Sequence, residues 1–341
     1  MKKQHPVYKK VGVSLLVLAV VLCYTTGYAE TRQLIPVGQT VGITLDMKGV
    51  TIVDTTDVEG YDGKKTAPAQ SAGLRAGDII EEINGETIDS ADELERIVAK
   101  SGETALTILI RRNEEEKEYS VTPALSCADG NYRIGVWIKD AASGIGTITY
   151  LDPNTLEFGA LGHGIAETPQ QRAISIRNGE VLDARIVSIQ KGSRGQPGEL
   201  VGVFTEDEKK LGTVSSNTEV GLRGVLDKKA KLNTVMEPIP VANRGEVREG
   251  DAEMLANVEE GKIETFSIEI QKINKDADNP KGMVIKVTDR RLLDKTGGIV
   301  QGMSGSPIIQ NGKLVGAVTH VFVSDAARGY GIFMDSMLGA E

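Results

Sequence analysis

Aromatic side chains are scarce in this chain, only 4% of 341 residues, and it holds two cysteines, three histidines and no CxxC pair. Without a Cys/His cluster, a structural zinc site of the usual spacing is excluded. A disulfide is not expected either, because Cys23 lies in an apolar N-terminal run and Cys127 far beyond it. Basic clusters that would grip nucleic acid are missing: 48 acidic residues outweigh 39 basic ones, for a formal net charge of −9, and phosphate neutralisation supplies most of such binding. The balance of 40% hydrophobic and 26% charged residues excludes a wholly disordered chain and a polytopic membrane protein. A mechanism that needs an imidazole has only His5, His163 and His320 to draw on. What is plentiful is glycine, 39 residues, which with few aromatics suits a turn-rich β fold. The length allows two domains and a smaller element.

Lys2, Lys3, Lys9 and Lys10 precede an apolar run over residues 11–24. A basic flank before an apolar core marks a membrane-targeting segment with its basic end in the cytoplasm. As a helix, residues 11–29 reach about 28 Å, enough to span a bilayer core. Gly27 and Ala29 supply small residues at the −3 and −1 positions of a signal-peptidase site. Residues 1–30 are therefore an uncleaved anchor or a cleaved signal peptide, and the remainder is exported.

Residues 31–123 read as one small domain. A strand opens at 43–45; the run Ala72-Gly73-Leu74-Arg75-Ala76-Gly77-Asp78-Ile79-Ile80 leads through a strand to an Asn84-Gly85 turn of the hairpin type. Ser90 and Glu93 can form a capping box for a helix over 90–100, with Leu94, Ile97 and Val98 on its apolar face. This segment resembles a PDZ domain, a module that adds a peptide as an extra strand. The resemblance implies that Val41, Gly42 and Ile43 form the loop holding a peptide's terminal carboxylate, with Leu94 and Ile97 or Val98 lining the groove. Residues 122–131 read as a linker.

Residues 124–341 read as mostly β. Hairpins are expected around Arg177-Asn178-Gly179 and Asn311-Gly312, and alternating strands over 266–270 and 283–288. Many short strands with little helix point to a sandwich or barrel.

The sharpest motif is Gly302-Met303-Ser304-Gly305-Ser306-Pro307. Glycines flanking a serine permit a tight turn that exposes a hydroxyl and aims successive N–H groups into one concavity, as a nucleophile with an oxyanion hole requires. The motif and the following strand, 314–318, resemble trypsin-like serine peptidases, which implies a double β-barrel. It also implies Ser304 as nucleophile, with the N–H groups of Gly302 and Ser304 as the oxyanion hole and Ser306 as the rival serine. His163, flanked by Gly162 and Gly164, is the expected base; His320, alone on an apolar strand, reads as structural, and His5 precedes the membrane segment. Asp289 continues the face of Met283, Ile285 and Val287. A carboxylate aimed inward there needs a partner, so Asp289 is the expected third member of a triad; Asp294, in a loop, has no such argument. Asp289 lies only 15 residues before Ser304, unlike the usual trypsin-like spacing.

The basic N-terminus with one membrane segment, the PDZ-like domain, Gly144-Ile145-Gly146-Thr147, Leu161-Gly162-His163-Gly164 and the run 298–307 together resemble the stage IV sporulation protein B family of endospore formers. That resemblance implies a signalling serine endopeptidase without a metal or cofactor, secreted across the forespore membrane and either anchored or released in the space facing the mother cell. It further implies self-cleavage near the N-terminus and cleavage of the extracytoplasmic part of a membrane complex that restrains an intramembrane metalloprotease, which activates the late mother-cell sigma factor. Its partners are a protein substrate at the membrane surface and a peptide or C-terminal segment in the PDZ groove. Two other readings are a non-catalytic PDZ adaptor on a degenerate peptidase fold and a general exported quality-control protease. In the latter, the PDZ domain usually follows the peptidase.

Overall fold

The computed structural model describes residues 32–339 apart from 114, 167–171, 194 and 205–208. The expected membrane segment lies outside the described residues. Among those described, no helix is long and apolar enough to cross a membrane.

Two long strands, Thr40–Thr55 and Val136–Leu151, organise the first half of the molecule. Their outer halves pair antiparallel from Thr40↔Thr147 to Asp46↔Ala141. Glu157–Ala160, Gly221–Leu226, Lys210–Thr218 and Ile176–Asp183 continue the ladder in that spatial order, and Ile176–Asp183 closes back on Thr40–Thr55. Six antiparallel strands thus form a closed barrel around Val41, Ile43, Leu45, Phe158, Val181 and Leu222. Closure leaves no unpaired edge on these strands. A second closed six-stranded barrel comprises Gly250–Glu259, Lys262–Ile273, Met283–Val287, Asp325–Phe333, Lys313–Phe322 and Pro307–Gln310 in spatial order. Its core includes Met254, Phe266, Ile268, Ile285, Ile308 and Phe333.

The inner halves of the two long strands leave the first barrel and pair again from Thr51↔Lys139 to Thr55↔Val136. They carry the PDZ-like unit, with Ile79–Ile83, Leu106–Arg112, Glu115–Val121 and the helix Ala91–Ser101. Its core joins Val50 and Ile52 to Leu94, Val98, Ile108 and Ile134. The unit is therefore inserted into the first barrel. This corrects the expected division at residue 123: Thr40–Met47 belong to the first barrel, and Ile134, Val136 and Ile138 pack with the PDZ core. The expected linker is a short hairpin, Ala124–Leu125 against Tyr132–Arg133.

Asn84 and Gly85 turn with φ of 54° and 78°, and Asn311 and Gly312 with 52° and 71°, both joining paired strands as expected. Arg177-Asn178-Gly179 makes no hairpin. It lies inside the strand Ile176–Asp183, where a Cβ on Gly179 would sit 2.9 Å from the Thr44 carbonyl and 2.6 Å from Leu45. The glycine serves close strand approach there. Ser90 Oγ caps the helix Ala91–Ser101 by accepting from Glu93 N at 3.3 Å, while Glu93 reaches back to Asp89 N at 2.9 Å, one residue earlier than a capping box requires.

Asp78 is fully buried. Its carboxylate takes Arg112 Nε and Nη2 at 2.5 and 2.6 Å and Arg75 N at 2.9 Å, which explains an acid in an otherwise apolar run. Removing it leaves the Arg112 guanidinium without its counter-ion. Asp78→Ala is expected to destabilise the PDZ unit by about 3–5 kcal/mol, read as a lowered urea midpoint for that unit's hydrogen-exchange protection.

Candidate active site

The chain reaches His163 through a strained turn. After Glu157–Ala160, Leu161 and Gly162 both adopt left-handed backbone, φ 68° and 70°. The non-glycine Leu161 tolerates this because its side chain is buried in the first-barrel core; such strain costs about 1–3 kcal/mol and persists only where packing enforces it. Asn217 braces the segment beyond. Its Oδ1 accepts from Ile165 N at 2.9 Å, and its Nδ2 donates to the carbonyls of Ile165 and Ile174 at 2.8 and 3.0 Å.

The serine turn is supported from the first barrel. Thr147 Oγ1 donates to Gly302 O at 2.7 Å, and Thr147 N donates to Ser304 O at 3.1 Å. Gly305, at φ 97°, lies so close that a Cβ would stand 2.1 Å from the Thr147 carbonyl. Gly305 N donates to Val318 O at 2.8 Å and Ser306 N to Met303 O at 3.0 Å. The N–H groups of Gly302 and Ser304 find no acceptor among the described residues, leaving two donors free on one turn, as an oxyanion site needs.

Ser304 is part-buried, and its Oγ donates to the Thr319 carbonyl at 2.5 Å. Ser306 is fully buried, and its hydroxyl has no partner. Ser304 is therefore partly open to solvent, whereas the rival serine is sealed from it.

His163 Nδ1 lies 2.9 Å from the Gly164 carbonyl. That contact assigns the proton to Nδ1 and leaves Nε2 as the acceptor. The His163 ring stands 4.5 Å, centroid to centroid, from His320, at 35°. His320, expected to be structural, thus belongs to the candidate site, exposed to solvent and with its ring against that of His163. Thr319 and Thr147 were not singled out from sequence either. The Gly-Ile-Gly-Thr run was the available signal for Thr147, since a Cβ on Gly146 would stand 2.2 Å from Leu161.

Asp289 is not brought to His163. It caps the helix Arg290–Thr296, accepting from Arg291 N, Nε and Nη2 at 2.9, 3.1 and 2.8 Å and from Ser267 N at 3.3 Å. Arg291 first, then these backbone donors, holds the carboxyl below the usual carboxylate range. Thr319 Oγ1 bonds Pro280 O at 2.6 Å, placing the site near that end of Met283–Val287. Asp289 follows the other end, roughly 13 Å of strand away. The alternation of 283–287 does aim inward, but the carboxylate's demand is met by an arginine two residues on. Among the described residues, no carboxylate hydrogen-bonds either histidine, and no three His, Cys, Asp or Glu residues group to hold a metal. Asp294 engages Lys191 through its backbone carbonyl.

Burial pushes the His163 imidazole below its ordinary value, partly opposed by the Gly164 carbonyl. His320 is pushed down to about 4, by loss of solvent first and then by His163 and Lys281. Both rings are neutral at pH 7, the state a general base needs. If His163 is that base, the acid limb of kcat/KM on a small ester has its midpoint below 6.5, the ordinary imidazole value; a midpoint at or above pH 7 contradicts the assignment. Ser304→Ala is expected to lower kcat on the order of 10⁶-fold. Ser306→Ala removes an unpaired buried hydroxyl and should leave both rate and thermal midpoint close to wild type. An exchange of the two phenotypes refutes the choice of serine.

Comparison with known proteins gives two family matches: a PDZ domain over residues 61–112 and SpoIVB peptidase S55 over residues 130–338. Serine protease HTRA1 of Xenopus laevis is 45% identical over 56 residues, 16% of this chain. A probable periplasmic serine endoprotease DegP-like of Brucella suis is 30% identical over 82 residues, 22% of this chain. The chain spans only 12% and 16% of those relatives' lengths. Among solved structures, the active form of the Rv3671c protease of Mycobacterium tuberculosis aligns at a TM-score of 0.33 and 16% identity, covering 59% of this chain and 73% of that one. The PDZ domain of the SdrC-like protein of Listeria monocytogenes aligns at 0.23 and 22%, covering 27% and 90%. The S55 match takes in His163, Ser304 and most of both barrels, and the chain belongs to the SpoIVB peptidase S55 family.

Proposed function

We propose that this chain is a sporulation-signalling serine endopeptidase that cleaves itself near the N-terminus and the extracytoplasmic part of a membrane complex restraining an intramembrane metalloprotease. In this reading the N-terminal segment exports it across the forespore membrane, where it works anchored or released, with a peptide held by the PDZ unit. The observation that carries the peptidase reading is the turn at Ser304, with an accessible hydroxyl and two free N–H donors in a chain of the S55 family.

Ser304 attacks the scissile carbonyl, His163 Nε2 takes its proton and later delivers it to the leaving amine, and the Gly302 and Ser304 N–H groups hold the developing oxyanion. The Gly164 carbonyl fixes the tautomer at Nδ1, a task that Asp289 would take over only after releasing Arg291. Before substrate arrives, the Ser304 hydroxyl is parked on the Thr319 carbonyl. A peptide laid along Thr319 would supply its own N–H to that carbonyl and free the hydroxyl to turn toward His163.

The parked hydroxyl and the missing carboxylate also favour the second reading, a non-catalytic PDZ adaptor. A fluorophosphonate serine probe separates the two. The wild-type chain is expected to be labelled and to yield N-terminal self-cleavage fragments, and Ser304→Ala to do neither. In an endospore former, Ser304→Ala should also silence a reporter of the late mother-cell sigma factor. Labelling without reporter loss would keep the enzyme and discard the signalling role.

A further inference from the structure

The expectation that Val41, Gly42 and Ile43 hold a peptide carboxylate is not met. All three are buried, paired on one side with Gly146, Ile145 and Gly144 and on the other with Asp183, Leu182 and Val181. The groove of the PDZ unit lies elsewhere, between the helix Ala91–Ser101 and residues 132–138, with Leu94 and Val98 on one wall and the Ile134-Gly135-Val136 turn on the other. A second ligand site, unrelated to peptide capture, lies in the peptidase half at the paired histidines.

The catalytic reading uses only one of these two imidazoles. The ring centroids of His163 and His320 are 4.5 Å apart. His163 Nδ1 is held by the Gly164 carbonyl at 2.9 Å, which leaves the Nε2 lone pair free. His320 is exposed, and neither of its ring nitrogens has a hydrogen-bond partner among the described residues. One ring N–H on a backbone carbonyl, with the other nitrogen left as a lone pair, is the usual posture of a metal-ligating histidine. Both rings are neutral at pH 7, so neither has to lose a proton to bind a metal.

The spacing suits one shared ion. For two imidazoles on one zinc, a Zn–N bond of about 2.0–2.1 Å puts each ring centre about 3.2 Å from the metal, so centroids 4.5 Å apart subtend about 90°, and about 5.2 Å gives the tetrahedral angle. A swing of His320 by less than about 1 Å supplies the difference, and its solvent-exposed position leaves room for it. Imidazole nitrogen suits zinc, whereas calcium and magnesium take oxygen ligands. No third His, Cys, Asp or Glu groups with the pair among the described residues. Water therefore completes the coordination, and the ion is exchangeable. The Lys281 ammonium, whose charge is felt at His320, opposes a cation there.

We propose that His163 and His320 together form a reversible inhibitory site for zinc. The ion takes the Nε2 lone pair that would receive the Ser304 proton, while the Nδ1 proton stays on the Gly164 carbonyl. No bond in the protein breaks and no proton is released, because hydrated zinc exchanges two waters for two imidazoles. The inhibition rests on the peptidase reading; the binding does not.

Binding is tested on the full chain carrying Ser304→Ala and no histidine tag, titrated with zinc chloride in a calorimeter. One saturable site is expected. His320→Gln and His163→Gln should each weaken it at least tenfold, and His5→Gln should leave it unchanged. Lys281→Glu exchanges a repelling charge for an attracting one and should tighten binding at least threefold, which keeps the site testable if a histidine variant fails to fold. Calcium and magnesium should give no binding heat. On the wild-type chain, submillimolar zinc should slow hydrolysis of a small ester at least tenfold, and a chelator should restore it. Absent zinc binding, binding that survives His320→Gln, equal binding of calcium, or no tightening in Lys281→Glu overturns the site. Zinc bound to an active chain without loss of rate overturns its inhibitory role. A wild-type chain that neither hydrolyses ester nor takes the fluorophosphonate probe fails as a peptidase, and the calorimetry still decides the zinc site.

Discussion

The antiparallel pairing of Thr40–Thr55 with Val136–Leu151 is the constraint on which the rest of the molecule depends. One end of this ribbon closes the first barrel; the other forms the floor of the PDZ unit. Thr147, which fixes the serine turn, and the Ile134-Gly135-Val136 turn sit on or beside the same strand, about a dozen residues apart. The support of the serine turn and one wall of the PDZ groove therefore share one element of backbone.

The site is assembled from both barrels at their meeting edge. The first supplies His163 on its strained turn and Thr147 as a prop, and the second supplies Ser304, Thr319 and His320. Neither barrel alone carries both Ser304 and His163, and the close approach of Gly305 to the Thr147 carbonyl leaves no room for a side chain between the two.

Much of this was legible in the sequence where the signal is local. Asn-Gly turns at 84–85 and 311–312, the cap at Ser90 and the glycine-framed serine all act within a few residues, and their physics does not depend on the fold. The failures were non-local. Val41-Gly42-Ile43 and Ile134-Gly135-Val136 are the same apolar-Gly-apolar pattern, and only the strand pairing, which joins residues nearly a hundred positions apart, tells a barrel wall from a groove. Gly179 looks like a turn residue until Leu45 and Val214 are known to press on it. Asp289 satisfied the alternation rule, yet the neighbouring Arg291 met its need for a counter-charge locally. His320 could not be assigned to the base's surroundings, because nothing in the order of residues shows which imidazoles will stack.

Inserting the PDZ unit on two strands gives it two covalent tethers in place of the one that a terminal domain has. Between Asp46↔Ala141 and Thr51↔Lys139 the ribbon is irregular, since on Val136–Leu151 only Asp140 stands opposite the stretch 47–50, and Gly49 there has φ 77°. A doubly tethered unit on such a joint cannot swivel about its attachment as a domain on a flexible linker does. It has essentially one soft coordinate, flexing of the ribbon across its bulge, and a load applied at one end reaches the other as a change in twist.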